Sequence, residues 1–143
     1  MDMILNDFDS DGDLDLYIVS GGNVFEPKSP ILKDRVYVND GRGYFSHSEN
    51  SVPNNYSSGM RVSYEDFDKD GDLDLFVGGR VVPGSYPIPA DSYLLINNSS
   101  KDKISFNNAD DSVFPYKDIG LVTSSVWADY NNDSWPDLIV VGE

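Results

Sequence analysis

The sequence predicts an all-β fold made of repeated four-stranded antiparallel sheets, and two observations support this class. An acidic motif occurs three times, beginning at residues 7, 66 and 129, so a similar unit recurs about every 60 residues. Each copy is followed by a short run of β-branched and aromatic residues that ends at glycine, as in LDLYIV at 14–19. Such runs are typical of strands, and no helical periodicity occurs between them.

Each repeat is predicted to contain four strands joined by hairpins. The first strand leads into the acidic motif and the second leaves it. The second strands are apolar throughout, which indicates burial on both faces of a sheet. The predicted strands lie at 14–19, 35–39 and 44–48 in the first repeat, at 60–64, 73–77, 92–97 and 104–107 in the second, and at 122–127 and 138–141 in the third. The first repeat therefore lacks most of its first strand.

Two connectors of matched length, 21–34 and 78–91, separate the second strand from the third. Their prolines lack a backbone donor and fix φ, so these segments are predicted to form rigid turns rather than paired strands. The third and fourth strands are joined by a tight turn at Asp40-Gly41 in the first repeat, the strongest short signal for a hairpin. The corresponding turn of the second repeat lies at 98–102.

Antiparallel four-stranded units repeated in series predict a β-propeller. The chain is interpreted as one partial propeller domain, 1–143, with repeats at about 1–58 and 59–121 and an incomplete repeat at 122–143. These repeats amount to about two and a half four-stranded blades, whereas a closed ring needs about four to eight. We therefore expect a piece of a larger propeller, with the remaining blades of the parent chain as partners.

The acidic motifs, which we name loop 1 (7–15), loop 2 (66–74) and loop 3 (129–137), have the pattern of calcium-binding hairpins. Oxygen side chains at positions 1, 3, 5 and 9 converge when a turn intervenes at position 6, and Ca2+ prefers about six to eight oxygen ligands. Without a cation, carboxylates this close repel by about 1 kcal/mol per pair in water and about 4 at an effective dielectric constant near 20. The predicted ligands, with position 7 contributing only its backbone carbonyl, are Asp7, Asp9, Asp11, Asp13 and Asp15; Asp66, Asp68, Asp70, Asp72 and Asp74; and Asp129, Asn131, Asp133, Trp135 and Asp137.

An EF-hand begins with the same pattern but needs a bidentate Glu at position 12 and flanking helices. Position 12 of the three loops is Ile18, Val77 and Val140, so each loop closes at position 9 and runs directly into a strand. Position 6 is predicted to need a positive φ, which suits the glycines of loops 1 and 2. Ser134 would cost about 1 kcal/mol there. Because Asn131 also replaces an acid, loop 3 is predicted to bind calcium most weakly.

The composition excludes several classes of partner. The net charge is −15, which argues against binding to nucleic acid or to an anionic membrane. The apolar runs are too short to insert into a bilayer. The chain has no cysteine, so neither disulfides nor thiol chemistry is available. Weak calcium sites in place of disulfides fit a protein that is extracellular, periplasmic or on the cell surface, where calcium is abundant.

The loops and the strands that follow them resemble a known family. The pattern D-x-D-x-D-G-x-L-D-L, followed by an apolar strand and Gly-Gly, is similar to the FG-GAP/VCBS repeats of integrin α-chain heads. The hairpin sequence YVNDGRGYF at 37–45 resembles bacterial and cartilage-acidic-protein-like members. The resemblance implies a seven- or eight-bladed propeller with Ca2+ hairpins between the first and second strands of each blade. It also implies an extracellular or surface location and a role in adhesion or ligand binding.

The end of each sheet opposite the loops is the predicted interaction face, because the connectors gather there with the longer loops 49–58 and 108–120. These segments carry aromatic and basic side chains suited to contact with a protein or a glycan, namely Phe25, Tyr56, Tyr86, Tyr116 and Arg80. His47 is interpreted as a surface residue of an outer strand. Trp127 and Trp135 are interpreted as packing residues.

Two functions from different classes remain open from the sequence. The first is a non-enzymatic interaction or adhesion module in which Ca2+ is structural. The second is part of a propeller-type polysaccharide lyase with catalytic residues elsewhere. A lyase needs basic or phenolic groups converging in a cleft, and the sequence places only Arg80 suitably. The first is therefore favoured, and no catalytic residue is assigned.

Overall fold

The computed structural model describes residues 1–143 and consists almost entirely of β-strands, which confirms the predicted all-β class. Only one short 3-10 turn, Pro30–Leu32, interrupts the strands. The strands are β1 (Met3–Asn6), β2 (Asp15–Ile18), β3 (Arg35–Asn39), β4 (Phe45–Ser48), β5 (Gly59–Glu65), β6 (Asp74–Gly79), β7 (Tyr93–Asn97), β8 (Phe106–Asn108), β9 (Val122–Ala128) and β10 (Asp137–Gly142).

The strands form three antiparallel sheets in which each strand pairs with its neighbours in the sequence. The first sheet has the order β1-β2-β3-β4, the second has the order β5-β6-β7-β8, and the third pairs β9 with β10. The three sheets do not close into a ring. Within each sheet, every strand pairs with the strand before or after it in the sequence, so the sheets follow one another along the chain.

The first strands of the three sheets lie side by side, because β5 contacts β1 on one side and β9 on the other. The two four-stranded sheets then face each other across one hydrophobic core. Burial of apolar surface between them is the main stabilising term, at about 25 cal/mol per Å². The core contains Phe8, Tyr17, Val19, Val36, Val52, Val62, Leu75, Val77, Tyr93, Leu95, Ile104 and Phe106.

Glycine permits the close approach of neighbouring sheets. A Cβ atom on Gly21 would lie 2.1 Å from the carbonyl oxygen of Gly59, and one on Gly59 would lie 2.4 Å from a methyl group of Val19. The same relation recurs at the next interface, where a Cβ on Gly78 would lie 2.4 Å from Val122. The glycines that end the apolar runs therefore mark the end of a strand, and their lack of a side chain allows the next sheet to pack closely.

A buried carboxylate, Asp34, links the first two sheets. Tyr17 in β2 and Tyr93 in β7 donate their hydroxyls to its Oδ2 at 2.8 and 2.6 Å. The backbone N–H of Ser20 donates to Oδ1 at 2.7 Å. Burial raises the pKa of Asp34 from 3.8 to about 6, although these hydrogen bonds act in the opposite direction. Both tyrosine hydroxyls therefore bind a carboxyl group whose ionisation is unfavourable in the folded protein.

The structure corrects the prediction that the first sheet lacks most of its first strand. Residues Met3–Asn6 form β1 and pair with β2 over four positions, from Met3↔Ile18 to Asn6↔Asp15. The sequence pattern did not reveal β1 because its residues, MILN, do not alternate between apolar and polar. Every position of this strand is exposed or half-buried, so burial does not favour one residue type on either face.

Burial on both faces is correct for only some of the second strands. Every residue of β6 is buried, because this strand lies inside a four-stranded sheet with neighbours on both faces. Burial alternates along β2 between buried and intermediate positions. In β10 no residue is buried, since this strand pairs only with β9. The apolar runs alone could not distinguish these environments.

The turn between β3 and β4 is longer than the predicted two-residue hairpin. It spans 40–44, with positive φ at Gly41 and Gly43 and a hydrogen bond from the N–H of Asp40 to the carbonyl of Tyr44. The second turn closes through a bridge between Ser100 and Lys103. Neither difference changes the order of the strands.

No helix in the chain has the length and apolar character that crossing a bilayer would need.

Ionisation of Asp34 predicts a pH-dependent stability. Its pKa in the folded protein lies above the ordinary value, so the folded state binds the proton more tightly. The resulting stabilisation is complete below about pH 4 and is lost as the pH rises through about 6. Between pH 4 and pH 7, we expect the free energy of unfolding of the unmodified chain to fall by about 2 kcal/mol more than that of Asp34→Asn. Urea unfolding at a series of pH values, with chelator present, measures this difference.

The matched control is Asp91→Asn, because Asp91 ends the second connector as Asp34 ends the first and its side chain is exposed. This variant should keep the pH dependence of the unmodified chain. Parallel curves for the unmodified chain and Asp34→Asn would show that the buried carboxylate is not the titrating group.

Candidate metal centre

Each acidic loop occupies the same place in its sheet, between the first and second strands. Position 1 follows the last residue of the first strand, and position 9 is the first residue of the second strand. Position 9 also pairs across the sheet with the residue before position 1, as in Asn6↔Asp15 and Glu65↔Asp74. The antiparallel ladder therefore fixes both ends of every loop.

Two residues of left-handed conformation bend each loop. The prediction of a positive φ at position 6 is confirmed in all three loops, including at Ser134. Position 4 has a positive φ as well, which was not predicted: serine and lysine in loops 1 and 2 do not favour this conformation, whereas the asparagine of loop 3 does. The φ angles are 59° at Ser10 and 101° at Gly12, 64° at Lys69 and 101° at Gly71, and 61° at Asn132 and 70° at Ser134.

The aspartate at position 1 holds this turn. In loop 1, the Oδ atoms of Asp7 accept hydrogen bonds from the backbone N–H groups of Asp11 at 3.2 Å and Gly12 at 3.1 Å. In loop 2, Asp66 accepts the N–H of Gly71 at 3.2 Å. A carboxylate at position 1 thus satisfies donors that the turn would otherwise leave free, whether or not a cation is bound.

Three carboxylates come together in each of the first two loops. One oxygen from each of Asp7, Asp9 and Asp11 lies within 4.8 Å of the others, and the same holds for Asp66, Asp68 and Asp74. Two oxygens bound to one Ca2+ at roughly 2.3–2.6 Å can be no more than about 5 Å apart, so both groups fit a single ion. All the donors are hard oxygens, the type that Ca2+ and Mg2+ prefer.

Several buried carboxylate oxygens of loops 1 and 2 have no hydrogen-bond donor, which is the strongest indication that these loops could hold a cation. Asp9 is 2% exposed, and neither of its carboxylate oxygens has a hydrogen-bond partner. Asp74 is fully buried, and its Oδ2 also has no partner. Leaving such a group unsatisfied costs about 1–3 kcal/mol, and more when it is charged. A bound cation would satisfy these oxygens.

The pKa values of Asp9 and Asp74 also show that a negative charge is unfavourable at these buried positions. Burial, followed by the charges of Asp11 and Asp15, raises the pKa of Asp9 to about 6. Burial raises the pKa of Asp74 to about 7, against the hydrogen bond from the N–H of Asn97. Loops 1 and 2 therefore each hold an acid that resists ionisation unless a positive charge lies beside it.

Only some of the predicted ligands of loops 1 and 2 belong to the groups of three carboxylates. In loop 1, both oxygens of Asp15 accept backbone N–H groups, from Phe8 at 3.3 Å and Asn39 at 3.0 Å, so Asp15 lies outside the converging group. In loop 2, Asp74 belongs to the group and Asp70 does not. The same motif therefore presents different oxygens in the two sheets.

Position 7, predicted to offer only its backbone carbonyl, also carries an unpartnered side-chain oxygen in loops 1 and 2. The Oδ1 atoms of Asp13 and Asp72 are buried and have no hydrogen-bond partner. Burial and the nearby charge of Asp70 raise the pKa of Asp72 to about 6. Aspartate at this position in both loops was the available signal, and the structure shows that its side chain turns into the acidic cluster.

Loop 3 assembles no group of three acids. Its ligand candidates Asp129, Asn131 and Asp133 are all exposed. Asn131 donates Nδ2–H to Oδ2 of Asp133 at 3.0 Å, so two of the candidate ligands are hydrogen-bonded to each other. The structure places the loop 3 residues at the same hairpin position but leaves them open to solvent.

The two tryptophans lie in different environments. Trp127 stacks on Phe67 with ring centroids 6.2 Å apart, as a packing residue would. Trp135 is 50% exposed, so its interpretation as a packing residue was wrong. Nζ of Lys69 in loop 2 lies 3.8 Å from the centroid of the Trp135 ring in loop 3, a cation–π contact that brings the two loops together. His47 is exposed in β4, as interpreted.

A groove of about 670 Å³ lies among the two connectors and the loops 49–58 and 108–120. The connectors follow β2 and β6 whereas loops 1 and 2 precede them, so the groove is at the opposite end of these strands. Its lining mixes polar, charged and aromatic side chains, including Lys28, Asn54, Tyr56, Asp91, Asn108 and Phe114. The predicted gathering of these segments is therefore present.

Only part of the predicted interaction set lines this groove. Tyr56 does, whereas Tyr116 lies in a separate, wholly hydrophobic groove of about 450 Å³. Tyr86 is 70% exposed outside both. Arg80 donates to the carbonyl of Leu121 and to Glu143, each at 3.0 Å, so it ties the second sheet to the third. The sequence could not show that this arginine is already engaged.

Residues 7–77 match the family model described as FG-GAP-like repeat. The matched segment begins at position 1 of loop 1 and ends within β6, so it includes both loops that bring three carboxylates together. Comparison with curated proteins and with solved structures gave no match.

The left-handed turn at position 6 predicts opposite effects for two substitutions. Gly71→Ala places a side chain at φ 101°, and because no atom lies within 4 Å of the added Cβ, the cost is purely conformational. We expect a loss of about 1–2 kcal/mol in the free energy of unfolding. Ser134→Gly removes that strain from loop 3 and should raise stability by up to about 1 kcal/mol. Thermal unfolding of both variants measures the pair, and unchanged stability in Gly71→Ala would refute the conformational argument.

Proposed function

Because residues 7–77 show that this chain belongs to the FG-GAP-like repeat family, we propose that it is a calcium-stabilised β-propeller module that binds a protein or glycan outside the cell. The observation that carries the calcium part is the buried carboxylate of Asp9, with two unpartnered oxygens beside two other acids. The calcium is structural, and the other end of the sheets carries the interaction surface.

The propeller arrangement is supported by how the sheets pack. Consecutive antiparallel sheets face each other, and their first strands β1, β5 and β9 lie side by side as inner strands around a common axis would. The glycine contacts at Gly21 and Gly78 allow this close approach. In this proposal each sheet is one blade, and the repeats at 1–58, 59–121 and 122–143 follow one another around the axis.

In loop 1 the ion would be held by Asp7, Asp9 and Asp11, and the free Oδ1 of Asp13 is a further donor. In loop 2 the corresponding donors are Asp66, Asp68 and Asp74, together with the free Oδ1 of Asp72. Ca2+ fits better than Mg2+, because an irregular set of many carboxylates suits its flexible geometry, whereas Mg2+ usually keeps several waters. The ion supplies positive charge that lets these acids ionise and stiffens the hairpin. Loop 3 is proposed as the weakest site, since its ligands are exposed.

The groove at the opposite end is the proposed interaction surface. Its walls carry the amides of Asn54 and Asn108, the ring of Tyr56 and the ammonium group of Lys28. Amide and hydroxyl groups beside an aromatic ring can hydrogen-bond and stack against a saccharide or a polar peptide. An extracellular or cell-surface location accords with this role, because calcium there is concentrated enough for sites of modest affinity.

Calcium binding predicts a crossover in stability for Asp9→Asn. With calcium present, the variant loses a ligand and should melt below the unmodified chain. With chelator, it removes a buried charge and its repulsion with Asp11, so it should melt at the same temperature or higher. The unmodified chain should gain about 2.7 kcal/mol per site when free calcium is 100 times Kd. Thermal melts with calcium and with chelator measure both.

Two further variants sharpen this test. Asp70→Ala should lower the calcium-dependent gain only in part, because Asp70 lies outside the converging group. Asp118→Asn, a change at an exposed acid away from the loops, should leave the gain intact. Identical melts with calcium and chelator for the unmodified chain would exclude calcium as a structural ion.

The interaction surface predicts a loss of binding in Tyr56→Ala and Lys28→Ala. An array of defined oligosaccharides and immobilised extracellular matrix proteins provides the probes, and at least one should bind the unmodified chain in the presence of calcium. Tyr130→Ala is the matched control, because Tyr130 is 80% exposed but lies in loop 3 at the other end of the sheets. Equal binding by Tyr56→Ala and the unmodified chain would show that the interaction surface lies elsewhere. Cleavage of an acidic polysaccharide would favour the alternative function, a polysaccharide lyase.

A further inference from the structure

Asn97, the last residue of β7, contacts both of the first two acidic loops. Its backbone N–H donates to Oδ1 of Asp74 in loop 2 at 2.8 Å. Its side-chain Nδ2–H donates to the carbonyl of Phe8 in loop 1 at 3.1 Å. Its Oδ1 accepts the N–H of Ser99 at 3.0 Å, which fixes the orientation of the amide. Asn97 is 3% exposed, so no water competes freely for these bonds.

Phe8 docks loop 1 firmly on the second sheet. Its ring lies edge-on to Phe106 in β8 with centroids 5.4 Å apart, and the residue is 2% exposed. Its carbonyl belongs to the peptide that joins it to Asp9, the buried carboxylate of loop 1. Its N–H donates to Oδ2 of Asp15. The peptide that Asn97 holds is therefore directly connected to the ligands of the first loop.

Asn39 occupies the equivalent place in the first sheet but makes only local contacts. It ends β3, and its N–H donates to Oδ1 of Asp15 at 3.0 Å, as Asn97 does to Asp74. Its Nδ2–H, however, donates to the carbonyl of Leu14 in the same loop at 3.1 Å. Of the two asparagines at matching positions, therefore, only Asn97 joins two loops.

From this contrast we infer that loops 1 and 2 bind their cations cooperatively, with Asn97 as the coupling residue. The inference rests on the proposed calcium binding. A cation in loop 1 fixes Asp9 and the peptide that precedes it, which places the side chain of Asn97. The backbone N–H of Asn97 then holds Asp74 with its free Oδ2 directed away from that bond and available to the second cation. By linkage, a cation in loop 2 favours binding in loop 1 by the same factor.

The test measures the affinity of loop 2 with and without a working loop 1. All proteins carry Asp129→Ala so that loop 3 does not contribute, and Ca2+ is the titrant in calorimetry. Disabling loop 1 with Asp9→Asn should weaken binding at loop 2 by at least about fivefold, the lower end of usual coupling factors. In Asn97→Ala, which keeps the backbone bond to Asp74 but loses the bond to Phe8, the same Asp9→Asn change should leave loop 2 affinity unaltered. In Asn39→Ala it should still weaken loop 2 about fivefold.

Each outcome decides a different point. If the starting protein takes up no calcium, the proposed calcium binding fails and the coupling fails with it. If two sites fill but loop 2 is indifferent to Asp9→Asn, calcium binding stands and the coupling is wrong. If the fivefold effect persists in Asn97→Ala, the loops are coupled but not through Asn97. Circular dichroism checks folding, and Asn97→Ser replaces Asn97→Ala if the latter does not fold.

Discussion

The structure depends on carboxylates that are buried where no protein donor reaches them. In most proteins a buried acid either accepts hydrogen bonds or pairs with a base. Asp34 follows that rule, since two tyrosines and a backbone N–H surround it. Asp9 breaks it, with both oxygens free beside two further acids. A bare cluster of this kind opposes folding, and a bound cation, as proposed above, would offset that cost.

The loops and the packing of the sheets form one continuous structure. Position 2 of each loop carries an aromatic ring, and in loops 1 and 2 this ring packs on the following sheet. Phe8 is buried against Phe106, and Phe67 stacks on Trp127, whereas Tyr130 is 80% exposed. The acidic hairpin therefore turns the chain and also anchors one sheet on the next. A change in a loop would be transmitted to the interface between sheets, and the reverse also holds.

In the proposed function, one end of the sheets gives rigidity and the other end binds the partner. The loops gather charge at one end, while the connectors enclose the groove at the other. Tyr93 joins these regions, because it lines the groove while its hydroxyl donates to Asp34 in the core between the sheets. Binding surfaces on loops need a scaffold that holds them in place. Here the facing sheets and their buried carboxylate provide it, and the proposed ions would stiffen the far end.

The sequence by itself determined the all-β class, the places of nine strands, the three hairpin loops and the positive φ at their sixth positions. These features follow from local periodicity and from steric rules that act within a few residues. Only the tertiary structure decided which oxygens converge, because Asp15 and Asp74 share a motif position but meet different neighbours. It also decided that Arg80 is engaged with the third sheet and that Asn97 joins two loops. Such contacts join residues as many as 89 positions apart, and their distances depend on how whole sheets pack rather than on any local pattern.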